Sequence, residues 1–384
     1  MTGGELVIDK ELTVIGAGPE TTVIQAAASL DLAVHRVIRI TEGSVVSISG
    51  VTIRYGKEAS TEKRMIPFHS EGVGLPSSGI EAISAQFGGG VYNQGTLTLT
   101  DSIVTENFAG GGGGIFNGAK ITIENSSITG NRSGGSGGGI FNGGILHAAN
   151  ITVEGNFGGV GAGFSNWGEA SVIASTINNN HSSATGGGIQ NSSIGVLTLD
   201  SSTVSRNGSV VAGGIYNFGR LQVINSTISD NAATEGAGID NRGVLTLANS
   251  TITGNVARDG GGLMVHPIIL NEGVTLSNTI LAGNTASNGP DCLGAVGSLG
   301  HNLVGNGSGC DFASVEWDIL GTASQPIDAG LAELKINGGA TETNALLPGS
   351  PAIDAADGGA CPPVDQRGVP RQRGSSCDMG AYEW

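Results

Sequence analysis

The sequence predicts an all-β chain wound as a right-handed parallel β-helix, with three short strands in each coil of about 25 residues and a loop-rich, disulfide-containing C-terminal cap. Three observations lead there. Glycine supplies 68 of the 384 residues and proline only 11, which fits neither a helical domain nor collagen. A unit that opens on glycine and closes on asparagine recurs at a nearly constant period. Each unit carries three apolar runs of three to five residues, rich in Ile, Val, Leu and Thr, and runs so short are strands.

The repeat is clearest between residues 88 and 262, in segments such as GGGVYNQGTLTLTDSIVTEN, GGGIFNGAKITIENSSITGN and GAGIDNRGVLTLANSTITGN. The glycine before the first apolar run falls at 90, 114, 139, 163, 188, 214, 238 and 262, so seven steps cover 172 residues. With coils stacked about 4.8 Å apart, those steps advance the solenoid by about 34 Å. Stacking places like residues over one another. Val91, Ile115, Ile140, Phe164, Ile189, Ile215, Ile239 and Leu263 form one inward column, and Val104, Ile128, Val153, Ile177, Val204, Ile228, Ile252 and Leu281 form another. Two asparagine columns run beside them, Asn93 to Asn241 and Asn107 to Asn284. Asparagine tolerates left-handed backbone at a turn and bonds along a stack of its own kind, so both columns are expected to be scaffold corners. Right-handed winding follows from the crossover rule for parallel strands.

Four regions follow from where the pattern holds. Residues 1–56 contain looser coils, 57–87 an insertion loop, 88–284 the core repeats, and 285–384 terminal coils and a cap. The insertion holds Lys57, Lys63, Arg64 and His69 in a chain with few bases, and long loops on a solenoid face often bind ligands. All four cysteines, Cys292, Cys310, Cys361 and Cys377, lie in the last quarter. Sequential pairing would close two short loops, with the connectivity left open.

Composition narrows the partners. Thirty-three acids against 17 bases give a net charge of −16, which disfavours nucleic acid. No stretch is long and apolar enough to span a membrane as a helix. The opening MTGGELVIDK lacks the basic and apolar parts of a secretory signal, yet the cysteines point to export, so the expectation is a secreted or cell-surface protein whose signal and anchor are not in this stretch.

The run GGGIFNGG with NSTITGN, followed by NLVGNGSGCDF, LLPGSPAIDAAD, CPPVDQRGVPR and CDMGAYEW, resembles the bacterial extracellular β-helix proteins called choice-of-anchor Q domain proteins; the glycine-asparagine repeats are similar also to polymorphic outer-membrane proteins. The resemblance implies a pectate-lyase-like solenoid, secretion, and attachment through C-terminal sorting signals. It supplies no catalytic residues to carry over, and the chain departs from it at the 57–87 insertion and in lacking a sorting tail.

Chemistry is sparse on this scaffold. In the column before the second asparagine only Arg206 and Asp230 are adjacent and charged, and their opposite signs suggest a surface pair. The six histidines occupy different repeat positions without metal-site spacing, so neither metal nor cofactor is expected. The aromatics are more informative. Tyr92, Phe116, Phe141 and Tyr216 follow the inward aliphatic and alternate outward, with Trp167 and Phe218 two residues beyond that position in their own coils. They form either an exposed strip that contacts sugar rings or proteins, or a ladder covered by a loop such as the insertion. The leading reading is a non-catalytic adhesin, spacer or carbohydrate-contacting module whose partner is a polysaccharide or cell-surface glycan. The alternatives are a polysaccharide lyase or glycosidase whose site combines the 57–87 insertion, with Lys63, Arg64 and His69, and a coil face, and an assembly subunit that self-associates through an open N-terminal strand edge.

Overall fold

In a computed structural model, described for residues 4–58, 87–267 and 273–384, the chain is a parallel β-solenoid. The first strands of successive coils, from Leu6–Ile8 through Val91–Asn93 to Leu263–Val265, stack in register as one sheet. The second strands, Leu12–Ile15 to Val274–Ser277, make another sheet, and the third, Val23–Gln25 to Ile319–Leu320, a twelve-stranded one. Four coils add a short fourth strand, between Phe108–Ala109 and His181–Thr185. The two predicted aliphatic columns are buried throughout and belong to one continuous core.

Coil 38–54 pairs directly with coil 91–105, Ile38 opposite Val91, Val46 opposite Leu97 and Ile53 opposite Val104. The coils on either side of residues 59–86 therefore pair in register. Lys57 and Phe87, the two ends of the insertion, bridge Phe108 and Gly111 of the next coil. Lys63, Arg64 and His69 lie outside the described residues.

Both asparagine columns are hydrogen-bonded ladders. From Asn93 to Asn241 each amide nitrogen donates to the next coil's amide oxygen at 2.7–2.9 Å. From Asn107 to Asn284 the spacing is 2.9–3.1 Å, and Asp291 accepts the last bond at 2.9 Å. A carboxylate suits that final place, because the ladder delivers a donor and asks for none in return. Burial pushes the Asp291 carboxyl above its ordinary range, against the pull of the N–H groups of Asn284 and Asn306.

One expectation changes here. The ladder asparagines are buried and point inward, while the left-handed turn positions belong to other columns. These are Asp101, Asn125, Asn150, Ala174, Ser201, Asn225, Asn249 and Asn278, and the residues just before the second ladder, Glu106 to Gly283. Asparagine thus serves twice, as an interior bond carrier and, at 125, 150, 225, 249 and 278, as a tolerated left-handed corner.

The C-terminal segment does more than close an end. Residues 329–384 run back along the outer face of the third sheet. Thr203 Oγ1 donates to the Glu342 carbonyl at 2.6 Å, Thr227 Oγ1 to Gln366 Oε1 at 2.6 Å, and Thr251 Oγ1 accepts from the Ala381 N–H at 3.0 Å. Arg371 anchors the strap from within, donating to Asn225 Oδ1 at 2.7 Å and to the Gly380 carbonyl at 2.8 Å, beside Glu383. Leu346, Ala352, Cys377 and Met379 build a second small core against Ile280 and Leu303. The disulfides pair in sequence order, Cys292 with Cys310 and Cys361 with Cys377. The second spans 16 residues, so Cys361→Ser with Cys377→Ser is expected to destabilise the strap by about 3 kcal/mol through the freed unfolded chain. Thermal denaturation of oxidised wild type against the double variant measures it.

Candidate functional site

Alternation sends the residue after each inward aliphatic of the first sheet outward, yet Phe116, Phe141, Tyr216 and Asp240 are buried. The cause is the glycine turn before each strand. At Gly112, φ is +59° and a Cβ would lie 2.5 Å from the Ile115 carbonyl oxygen, so the chain folds back across the strand's outer face. At Gly236, with φ +60°, an added Cβ would likewise lie 2.6 Å from the Asp240 Cβ. A side chain at 236 would displace that carboxylate.

Of the two aromatic arrangements, the geometry is mainly the covered ladder. Tyr92, Phe116, Phe141 and Trp167 stack at 5.1, 5.4 and 6.2 Å between centroids, and Phe87, the last residue of the insertion, packs on Phe116 at 4.5 Å. Arg36 lies over the remaining face of Tyr92 at 4.6 Å. Tyr216 meets Phe218 edge to face at 4.6 Å, and burial pushes its phenol up to about 12. Tyr92, Trp167 and Phe218 stay half-exposed.

Trp167 and Phe218 sit at the corner where the first sheet turns into the second. The residue after each ladder asparagine forms a column there, with Trp167, Ser192, Phe218, Arg242 and His266 in successive coils. Each backbone N–H donates to the asparagine one coil below, at 2.7–3.0 Å. Trp167 and Phe218 are two coils apart, about 10 Å. The corner itself is floored by glycine, because a Cβ at Gly144 would lie 2.0 Å from the Ala119 carbonyl oxygen. Where Gly118 and Gly143 also remove side chains from the column, the corner opens into a groove of about 470 Å³ lined by Val45, Gln94, Lys120 and Ile145. Gln94 Nε2 donates to the Tyr92 hydroxyl at 3.0 Å, joining groove and aromatic stack.

The column ends in a grouping that the sequence reading missed. Asp240, with its side chain 0% exposed, accepts from Arg242 Nε at 3.3 Å and from His266 Nε2 at 3.1 Å. Arg242 and His266 are 28% and 23% exposed, and the Arg242 guanidinium lies 5.5 Å from the Tyr216 ring centroid and 5.8 Å from that of Phe218. A comparison of equivalent positions alone overlooks this trio, since Asp240 belongs to one column and the other two to the next but one. The +2 offset from Asp240 to Arg242, on a strand followed by a corner, was the available signal.

The other charged candidates resolve differently. Arg206 pairs with Glu342 of the C-terminal strap, which raises the guanidinium pKa, while Asp230 contributes only at longer range. Among the described residues no group of three or more His, Cys, Asp or Glu side chains could hold a metal ion, and no helix is long and apolar enough to cross a membrane.

No family model and no curated protein matches the chain. Among solved structures, the crystal structure of pectate lyase Pel9A is similar over 99% of this chain and 88% of that one, at 16% identity and a TM-score of 0.48. A likeness that distant carries no argument about activity. The fold rests on the coil geometry above.

Proposed function

We propose that the chain is an extracellular solenoid that contacts polysaccharide along the corner between its first and second sheets, as an adhesin or binding module. The observation that carries the reading is the row of half-exposed Trp167 and Phe218, two coils apart in one column and in line with the groove at Gln94 and Lys120. Flat rings on a rigid, repeating support present apolar faces at a fixed spacing, which suits a polymer of sugar rings. Two disulfides favour an oxidising compartment, and the C-terminal motifs resembling choice-of-anchor Q domain proteins favour display at a cell surface.

The expected result is saturable binding of at least one polysaccharide on a glycan array, with the polymer recovered at its original length. Trp167→Ala is expected to weaken binding about tenfold, from roughly 1–2 kcal/mol of ring contact, with a modest drop in melting temperature from the lost stack on Phe141. Unchanged affinity in that variant, or turnover of the polymer, would contradict the reading.

A second reading, longitudinal self-association, has its own observation. The first coil's strands pair on one side only among the described residues, and its inward residues Leu6, Leu12, Val14 and Ile24 are only partly buried. Sedimentation of concentrated protein tests it, with a single monomeric boundary counting against it.

A further inference from the structure

We infer that Arg242, His266 and Phe218 form a subsite for an uncharged sugar ring, recognised through neighbouring hydroxyl groups, and that the chain discriminates against polyuronates. The inference rests on the polysaccharide-contact reading and names its ligand class.

The buried Asp240 carboxylate fixes both polar side chains. A carboxylate only accepts, so His266 Nε2 carries the proton between them, and Nδ1 has no partner among the described residues. Arg242 commits its Nε to Asp240, and its two terminal nitrogens likewise have no partner among the described residues. Unpartnered polar atoms therefore stand one coil apart, about 4.8 Å, on side chains that need no reordering when a ligand arrives. Vicinal hydroxyls, each able to donate and to accept, match such a pair. Phe218, half-exposed and next in the column, supplies the flat apolar face that a sugar's C–H groups require.

Charge points the same way. The buried Asp240 carboxylate offsets the Arg242 guanidinium. Of the groups packed around them, Tyr216 is uncharged and Glu235 adds a negative charge that is paired with Arg258. The molecule as a whole carries −16. A polyanion meets repulsion at long range, whereas neutral hydroxyls gain charge-assisted bonds from the guanidinium.

The test is titration calorimetry of the full chain with a soluble neutral glucan, mannan and xylan and with a polyuronate at equal monomer concentration, for wild type, Arg242→Ala, Arg242→Lys and His266→Ala. The expected result is binding of a neutral polymer, at least tenfold weaker in Arg242→Ala and His266→Ala and partly restored in Arg242→Lys, with circular dichroism confirming that each variant is folded, since either alanine leaves the buried Asp240 one partner fewer. Polyuronate is expected not to bind. Tighter binding of polyuronate than of any neutral polymer would overturn the inference while leaving the contact reading intact. Equal affinity of wild type and both alanine variants for a neutral polymer would do the same. Binding of no polymer by wild type would remove both.

Discussion

Asn142→Leu is expected to be among the most damaging single substitutions in the chain. The Asn142 amide accepts from Asn117 and donates to Asn166, to the Gly144 carbonyl and to the Glu169 carbonyl, all within 2.7–3.1 Å. Leucine fills a similar volume but leaves Asn166 Oδ1 without its donor and deprives Asn117 of an acceptor, at positions closed to bulk solvent. At about 1–3 kcal/mol for each stranded group, the loss is of the order of 3–6 kcal/mol. Because coils contact only their neighbours, the damage should centre on coils 115–173 before spreading. Chemical denaturation read by circular dichroism gives the size, and hydrogen exchange gives the location. Asn150→Gly is the matched comparison. Asn150 is exposed and sits at φ +54°, so glycine is expected to cost little there.

Arg371→Ala carries the second large effect. The guanidinium is almost wholly buried, binds Asn225 on the solenoid and two carbonyls of the strap, and faces Glu383 at 3.5 Å. Removing it strands a buried carboxylate and several acceptors, which typically costs about 3–5 kcal/mol. The strap should fail first, because it is tied to the third sheet by hydroxyl and amide contacts at Thr203, Thr227 and Thr251 more than by continuous aliphatic core. Limited proteolysis is expected to cut within 329–384 while coils 91–265 stay protected. Uniform loss of protection along the whole chain would show that strap and solenoid are a single cooperative unit.

Much of the architecture was legible because each coil faces the same environment as the next. The Ile115 and Ile128 columns, the strand count and the asparagine periodicity all follow from that constraint, since one misplaced residue would put a polar group into a continuous core. The depth of the asparagines was not legible. The same residue type serves at Asn142 inside and Asn150 outside, and composition alone does not separate an amide bonded along a ladder from one placed at a left-handed corner. The aromatic row was half legible. Alternation gives the direction of Phe116 and Phe141, but the Gly112 turn that covers them acts across the chain, as does Phe87. The strap escaped notice because its partners, such as Arg371 and Asn225, are 146 residues apart and share no repeat. Asp240, Arg242 and His266 were hidden for a related reason, since their contact joins two columns and two coils.

Fluorescence of Trp167 tests the corner site most directly. The chain has three tryptophans, and Trp317 and Trp384 are 66% and 54% exposed, so Trp317→Phe with Trp384→Phe leaves Trp167 as the single reporter on a little-perturbed fold. Titrating that variant with the polysaccharide that calorimetry shows to bind should give a saturable emission change with the calorimetric affinity, abolished by Phe218→Ala. Full calorimetric binding with unchanged Trp167 emission would place the polymer elsewhere on the molecule.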